Sequence, residues 1–420
     1  MAREKVIVGV DIGSSKIATV IATSSESELT VIGVSTTLSK GIRKGQVVDI
    51  DEAVSAIAEG LEAAERMAGV SASSCFVSVS GVHISSVNSR GVVAVAGGEN
   101  EISDEDVRRV VEAAQAISTP SSREIIHVIP RDYIVDSQEG VKDPVGMTGV
   151  RLEVETHIIT GATTSLRNLV KCIQQVGVDV EGLVFSGIAS AESTLTDTER
   201  ELGVALVDIG GGTTDVALFV DGSIAHSAVI PIGGKNITND LAIGLRSSLE
   251  TAEKIKLALS GKESNQEDEK EKPKAGEIDV SRLGITEDLG TLSKKTLTEG
   301  IIRPRLTEIF TLIGMEIKRA GFAGLLPAGL VITGGGAETV LLPNVGKEVL
   351  RMPVRVASPK GVGGLIDEIS SPAYANSVGL LLFGEKMSIS APRARISLGG
   401  GRNLADFLKK LTGWIRGLIP

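Results

Sequence analysis

Two short stretches, Asp11-Ile-Gly-Ser-Ser-Lys16 and Asp208-Ile-Gly-Gly-Gly-Thr-Thr-Asp215, carry the same chemistry twice in this chain. Each follows an apolar run and leads into another, which predicts a strand, a tight Gly/Ser turn and a second strand. Glycine removes side-chain bulk and permits positive φ, so backbone N–H groups in such a turn can approach a phosphate closely. The leading aspartate ends its strand, where a carboxylate is placed to hold a cation or its water. Two facing copies would grip one phosphate chain from both sides. A third signal, Leu330-Val-Ile-Thr-Gly-Gly-Gly-Ala337, is a buried strand running into a bare turn against which a flat ring could lie. Taken singly, each turn is an ordinary flexible connection. A Rossmann reading fails, because the first two turns lead into strands and not helices.

The elements that must position these turns follow from periodicity. Residues 6–37 read as a three-stranded meander, Asp51 to Met67 as a helix and Cys75 to Ser80 as a strand. Residues 86–160 read as an inserted module with a strand at Gly91 to Val95, a helix from Ser103 to Ile117, and strands at Ile125 to Val135 and Val150 to Ile159. Ser103 followed by Asp106 has the form of a helix N-cap with an acidic first turn. A helix (Thr164 to Val176), a strand (Gly182 to Phe185) and a helix (Ile188 to Leu195) lead to the second aspartate turn. Helices follow Gly234, broken near Arg246, where Ser247-x-x-Glu250 has capping-box form. Lys262 to Glu277 is charged and apolar-poor and reads as a mobile excursion. The helix Arg303 to Arg319 precedes the third turn, and Pro372 to Leu382 reads as the last globular helix. Alternating strands and helices with this repetition predict an α/β protein of two related halves.

Composition narrows the function. The chain of 420 residues carries a net charge of −10 and only one Trp, two Tyr and seven Phe, which argues against nucleic-acid binding. Cys75 and Cys172 stand apart in sequence, as in a reducing compartment without a disulfide framework. The opening residues show no signal peptide, and no apolar run approaches the roughly 18–20 residues of a spanning helix. The expected location is the cytosol unless something ties the chain to a membrane. The C-terminus provides such a tie. Glu385 to Gly401 reads as a flexible linker spanning on the order of 20 Å. At about 100° per residue, Leu404, Phe407, Leu408, Leu411, Trp414, Ile415 and Leu418 then share one face, with Lys409, Lys410 and Arg416 outside it. A last helix packed on the core is the alternative. An interfacial membrane anchor accounts together for the basic face, the edge tryptophan and the glycine linker.

On these residues the chain resembles the actin/Hsp70/sugar-kinase superfamily, with its two-lobe, ribonuclease H-like ATPase fold. The resemblance implies ATP and Mg2+ as ligands. Phosphate contacts would come from Gly13, Ser14, Ser15 and Lys16 and from Gly210, Gly211, Gly212, Thr213 and Thr214. Asp11 and Asp208 would hold the metal through water, and Gly234, Lys235, Glu253, Lys256, Gly334, Gly335 and Gly336 would surround the nucleoside. For Glu253 and Lys256 a plain solvated helix face is the alternative. Active ATPases of the superfamily carry an acid or amide at the start of the first connecting helix. Ser186 occupies that place here, which predicts firm ATP binding with weak hydrolysis and no confident catalytic residue.

Within the superfamily the chain is similar to the FtsA family of bacterial cell-division actin homologues. The similarity rests on the three turns, on Ser39-Lys-Gly-Ile-Arg-Lys-Gly45, on the inserted module and on the tail. It implies subdomain 1A at 1–85 and 161–200, an FtsA-type 1C insert at 86–160, 2A at 201–240 and 320–384, and 2B at 241–319. A linker at 385–401 and a membrane-targeting amphipathic helix at 402–420 complete the division. It also implies polymer formation, later division proteins recruited through residues 86–160, and capture of the FtsZ C-terminal tail by Arg305 and Glu308, which otherwise read as a solvated helix face. A pilus-assembly actin homologue and a phosphotransferase of the same fold are the rivals, and the tail speaks against both.

Overall fold

The computed structural model describes residues 5–25, 28–96, 98–116, 120–261, 276–278, 283–285, 287, 289 and 291–390. The first half opens with β1 (Lys5–Ile12), β2 (Lys16–Ser24), β3 (Leu29–Leu38), the small hairpin β4 (Ile42–Arg43) and β5 (Gln46–Val47), α1 (Ile50–Ala68) and β6 (Ser74–Val79). An excursion follows: β7 (Ser85–Ala94), α2 (Asp104–Gln115), β8 (Arg123–Val135), β9 (Gln138–Val141) and β10 (Arg151–Ala162). The first half then resumes with α3 (Thr163–Gln175), β11 (Asp179–Phe185), α4 (Ser186–Thr194) and α5 (Asp197–Leu202). The second half contains β12 (Val204–Ile209), β13 (Thr214–Val220), β14 (Ser223–Ile230), α6 (Gly234–Leu245), α7 (Leu249–Leu259), β15 (Glu277–Ile278), β16 (Leu292–Ser293), α8 (Lys294–Leu297) and α9 (Arg303–Arg319). It closes with β17 (Leu330–Thr333), α10 (Leu342–Leu350), β18 (Val354–Val356), β19 (Gly363–Gly364), α11 (Ile366–Ile369) and α12 (Ala375–Ser390).

The two halves repeat one topology. In the first, β1, β2 and β3 form an antiparallel meander and β6 and β11 add in parallel beside β1, giving the order β11-β6-β1-β2-β3-β19. In the second, β12, β13 and β14 form the meander and β17 and β18 add in parallel beside β12. The opening strands read as unbroken Val, Ile and Ala runs because both of their faces are covered. The excursion builds its own antiparallel sheet, β7-β10-β8-β9, with α2 packed on one face around Tyr133, Leu152 and Ile158. Ser103 and Asp106 cap α2 reciprocally, as their spacing predicts.

Two helices lie where the halves meet. α12 packs on β1, β2 and β6, α4 packs on β12 and β13, and the two helices cross each other closely at Gly379 and Ala189. α12 runs to Ser390, so the linker expected from Glu385 begins later. The reason is that its polar end is held: Ser24 Oγ donates to Glu385 Oε1 (3.0 Å), Lys5 bonds Ser388, and Lys386 joins Arg200 on the buried carboxylate of Glu192. The two cations hold Glu192 in its charged form against burial. Glu192→Ala takes the carboxylate from the largely buried Arg200 guanidinium and is expected to destabilise the protein by about 3 kcal/mol in chemical denaturation.

A second difference concerns α7. Its N-cap is Ser248, whose hydroxyl accepts from Thr251 N–H, and not Ser247. The Ser247 N–H is already used by the Ala242 carbonyl to close α6, behind Arg246 in the left-handed region. Ahead of α9, Thr298–Ile302 widens into a π-turn, because Pro304 has no N–H for the carbonyl of residue 300. Residues 262–275 of the charged excursion and the whole amphipathic segment 402–420 lie outside the described residues.

Candidate functional site

The turns after β1 and β12 face each other across the line where the halves meet. Each is closed by a backbone hydrogen bond, Gly13 N–H to the Lys16 carbonyl (3.1 Å) and Gly210 N–H to the Thr213 carbonyl (2.9 Å). They approach so closely that a Cβ on Gly211 would lie 2.0 Å from Ser15 Oγ and 2.9 Å from Ser15 Cβ. Between them opens a cleft of about 750 Å3. Its walls include Gly13, Ser14, Ser15, Lys16, Gly210, Gly211, Thr213, Gly234, Lys235, Glu253, Lys256, Gly334, Gly335 and Gly336. Residues drawn from five separate parts of the chain are thus brought to one place.

Three carboxylates sit at the floor, Asp208 and Asp215 buried and Asp11 half-buried. Asp11 Oδ1 accepts from Ser78 Oγ and from Asn376 Nδ2, both at 2.8 Å. Asp208 Oδ2 accepts from Ser190 Oγ at 2.5 Å. Asp215 stands opposite Asp208 in the β12–β13 ladder, and Ser80 Oγ lies 2.7 and 2.8 Å from its two oxygens, donating to one of them. Burial pushes all three toward the protonated form. Asp208 rises to about 6, with the charge of Asp11 adding to burial and the Ser190 bond and Lys16 opposing. Asp215 is raised well above the ordinary range by burial and then by Asp208, and Asp11 is raised mainly by burial.

Three acids this close are a deficit of positive charge that a cation would fill. The Asn376 carbonyl oxygen, buried beside Asp11, is unpartnered among the described residues. No three His, Cys, Asp or Glu side chains among the described residues converge as direct metal ligands. The donor set therefore suits a divalent cation held through its water shell, which Asp11 and Asp208 can accept from.

The side chains beside the turns sort themselves by role. Lys235 Nζ donates to the Ser14 carbonyl (2.7 Å), tying α6 to the first turn. Lys256 pairs with Glu253 (2.7 Å) and donates to Thr238 Oγ1 (2.9 Å) and the Gly234 carbonyl, so both are part of a cleft wall and not a plain solvated face. Lys16 Nζ lies 3.6 Å from the centre of the Tyr374 ring, whose hydroxyl meets Thr36 Oγ1 at 2.9 Å. Gly212 packs against Ser14, behind the cleft surface. Thr214 departs from expectation: its hydroxyl donates to the Ile232 carbonyl (2.8 Å), fully buried, because β13 alternation turns it away from the cleft. Ser186 heads α4 at the cleft edge, with its hydroxyl on the Val79 carbonyl (3.3 Å), and Glu192 faces the opposite side in its ion pairs. Arg305 on α9 is held bidentately by Asp240 (2.5 and 2.7 Å) and also pairs with Glu308. Ser78, Ser80, Ser190, Asp215 and Asn376 were not legible as site residues. Only Asp215 carried a signal, as the last residue of the second motif.

Comparison with known proteins places this geometry. The family model described as the SHS2 domain inserted in FtsA matches residues 81–160, and that described as cell division protein FtsA matches residues 205–379. The cell division protein FtsA of Pseudomonas aeruginosa is 39% identical, with 98% of each chain covered. Among solved structures, the PilM-PilN type IV pilus biogenesis complex aligns with a TM-score of 0.64 at 15% identity, covering 90% of this chain and 98% of that one. MreB 5 of Spiroplasma citri bound to AMPPNP aligns with a TM-score of 0.54 at 13% identity, covering 92% and 97%. The structural likenesses show an actin-like ATPase fold, and the full-length sequence similarity shows more than fold. The chain belongs to the FtsA family of cell division proteins.

Proposed function

We infer that the protein binds ATP with Mg2+ in the cleft, self-associates into filaments, and holds FtsZ filaments at the inner face of the cytoplasmic membrane. There it would recruit later division proteins to the septum. The observation that carries this reading is the face-to-face approach of two glycine turns, each led by an aspartate at the cleft floor, in a member of a cell division family. The nucleotide-bound MreB structure of the same fold supports the ligand. Backbone N–H groups of the turns, with Ser14, Ser15 and Thr213, suit the phosphates, and the wall from Gly234 to Lys256 together with Gly334, Gly335 and Gly336 suits the nucleoside. Mg2+ would neutralise phosphate charge when bound, with Asp11 and Asp208 accepting from its waters. Ser186 cannot take a proton from water at neutral pH, so hydrolysis would be slow and the nucleotide would act as a switch.

No helix among the described residues is long and apolar enough to cross a membrane. Membrane attachment would rest on Leu404, Phe407, Leu408, Leu411, Trp414, Ile415 and Leu418, with Lys409, Lys410 and Arg416 toward anionic headgroups at about 1 kcal/mol each. Arg305 and Glu308 would receive the FtsZ tail, with Asp240 keeping the guanidinium aimed until an incoming carboxylate shares it. The pilus-assembly reading has fold likeness alone in its favour.

The test is co-sedimentation with phosphatidylglycerol-containing vesicles, with and without ATP, for the full chain and for a chain ending at Gly401. Only the full chain is expected to sediment, more strongly with ATP, and then to bring FtsZ filaments down with it. Equal sedimentation of both chains, or of neither, rules out the anchor.

A further inference from the structure

The run Ser39-Lys-Gly-Ile-Arg-Lys-Gly45 has so far no role in the site. It folds as the β4–β5 hairpin, pairing Ile42 with Val47 and Arg43 with Gln46. Ile42 is buried and Arg43 exposed, as strand alternation requires. The tip has left-handed backbone at Lys44 (φ 48°) and Gly45 (φ 73°), and for lysine that region is sparsely populated. Surrounding structure must therefore hold it there. Gly45 N–H donates to Ser14 Oγ (3.0 Å), and a Cβ at Gly45 would lie 2.5 Å from the Ser80 carbonyl oxygen. A Cβ on Gly212 would lie 3.5 Å from Lys44 Cα. The tip is thus wedged against the first turn, the second turn and the end of β6, and Gly45 itself lines the cleft.

Charge gives this wedge a purpose. The floor of the cleft holds Asp11, Asp208 and Asp215 against Lys16 and Lys235, and a triphosphate with one divalent cation adds further net negative charge. The charge of Arg43 already reaches this pocket. Lys235 has its proton affinity lowered by burial first, with Arg43 and Lys256 contributing and Glu253 opposing. Among the described residues neither Arg43 nor Lys44 forms a side-chain hydrogen bond or ion pair.

We propose that the β4–β5 hairpin is a third wall of the phosphate pocket, and that Arg43 and Lys44 supply positive charge to the terminal phosphate, making the site select a nucleoside triphosphate over a diphosphate. This deepens the nucleotide reading and rests on it. Because the tip is bonded to Ser14 and lies against Gly212, closure of the two turns on a ligand carries the hairpin with it. Long, solvated side chains then need only rotate to reach a phosphate oxygen, and guanidinium is suited to bidentate contact there.

The experiment titrates the full-length protein with fluorescent ATP and ADP analogues in the presence of Mg2+. In the Arg43→Gln, Lys44→Asn variant, asparagine keeps the left-handed backbone accessible. The ATP Kd is expected to rise tenfold or more and the ADP Kd less than threefold. The charge-conserving Arg43→Lys, Lys44→Arg variant should keep the wild-type preference. Affinities unchanged within twofold, an equal loss for both nucleotides, or loss of preference in the charge-conserving variant would each overturn the proposal. A wild-type chain that binds neither nucleotide overturns both the proposal and the reading beneath it.

Discussion

Gly379→Ala is expected to lower the onset of thermal unfolding by several degrees and to weaken nucleotide binding in the same sample. A Cβ at this position would lie 1.7 Å from the Ala189 carbonyl oxygen and 2.3 Å from its carbon. Those are backbone atoms of α4, which no rotamer change can move aside. Overpacking typically costs 1–3 kcal/mol, and a clash with a helix backbone belongs at about 3 kcal/mol or above. The functional consequence comes from what the two helices carry beside the crossing. Asn376, in the first turn of α12, bonds Asp11, and α4 presents Ser190 to Asp208. Forcing the helices apart therefore pulls on both aspartates of the cleft. Gly98→Ala is the control, since a Cβ there meets nothing within 4 Å. If Gly379→Ala unfolds with the control, the close helix crossing is wrong.

What the sequence could reveal about this architecture was local in origin. The aspartate–glycine turns announce themselves because adjacent residues carry both the turn chemistry and the flanking strands. The helix Arg303–Arg319 and the strand Leu330–Thr333 fall where periodicity puts them for the same reason. The actin-like fold follows once the turns are seen to occur twice. What escaped depends on distance along the chain. Ser78, Ser190 and Asn376 become site residues only because folding sets them beside Asp11 and Asp208, 67, 18 and 365 positions away. The end of α12 escaped because Glu385, Lys386 and Ser388 look like linker until their partners are in place. The cap of α7 escaped because two adjacent serines each had suitable spacing, and only the closure of α6 decides between them. Thr214 belongs to β13 and not to the turn its motif suggests, and strand alternation sends its side chain to the other face.

Asp208→Asn should stabilise the ligand-free protein and lose a large part of that advantage when nucleotide is added. In the ligand-free protein, Asp208 has its pKa raised from 3.8 to about 6, chiefly by burial. The folded state therefore holds this proton more firmly than the unfolded chain. The associated stability is fully present below the unfolded value and is lost as pH rises through about 6. At pH 8 wild type carries that loss, and asparagine, which never ionises and still accepts from Ser190, does not. The ligand-free variant should be more stable at pH 8 by roughly 2–3 kcal/mol, with the advantage fading toward pH 4. Adding ATP with Mg2+ narrows the comparison. A cation held by the carboxylates favours their charged form, so wild type gains about 2.7 kcal/mol at a hundredfold excess over Kd. Without Asp208 to accept from the cation's waters, the variant should bind at least tenfold more weakly and gain about 1.4 kcal/mol or less at the same concentration. The measurement is thermal unfolding of both proteins from pH 4 to pH 8, with ATP and either Mg2+ or EDTA. A ligand-free variant less stable than wild type at pH 8 would show that Asp208 is not the strained carboxylate described. A variant that responds fully to ATP with Mg2+ would show that the cation is held elsewhere. The predicted convergence of the two stabilities on adding ligand separates a residue kept for packing from one kept charged, at a cost to the empty protein, for its ligand.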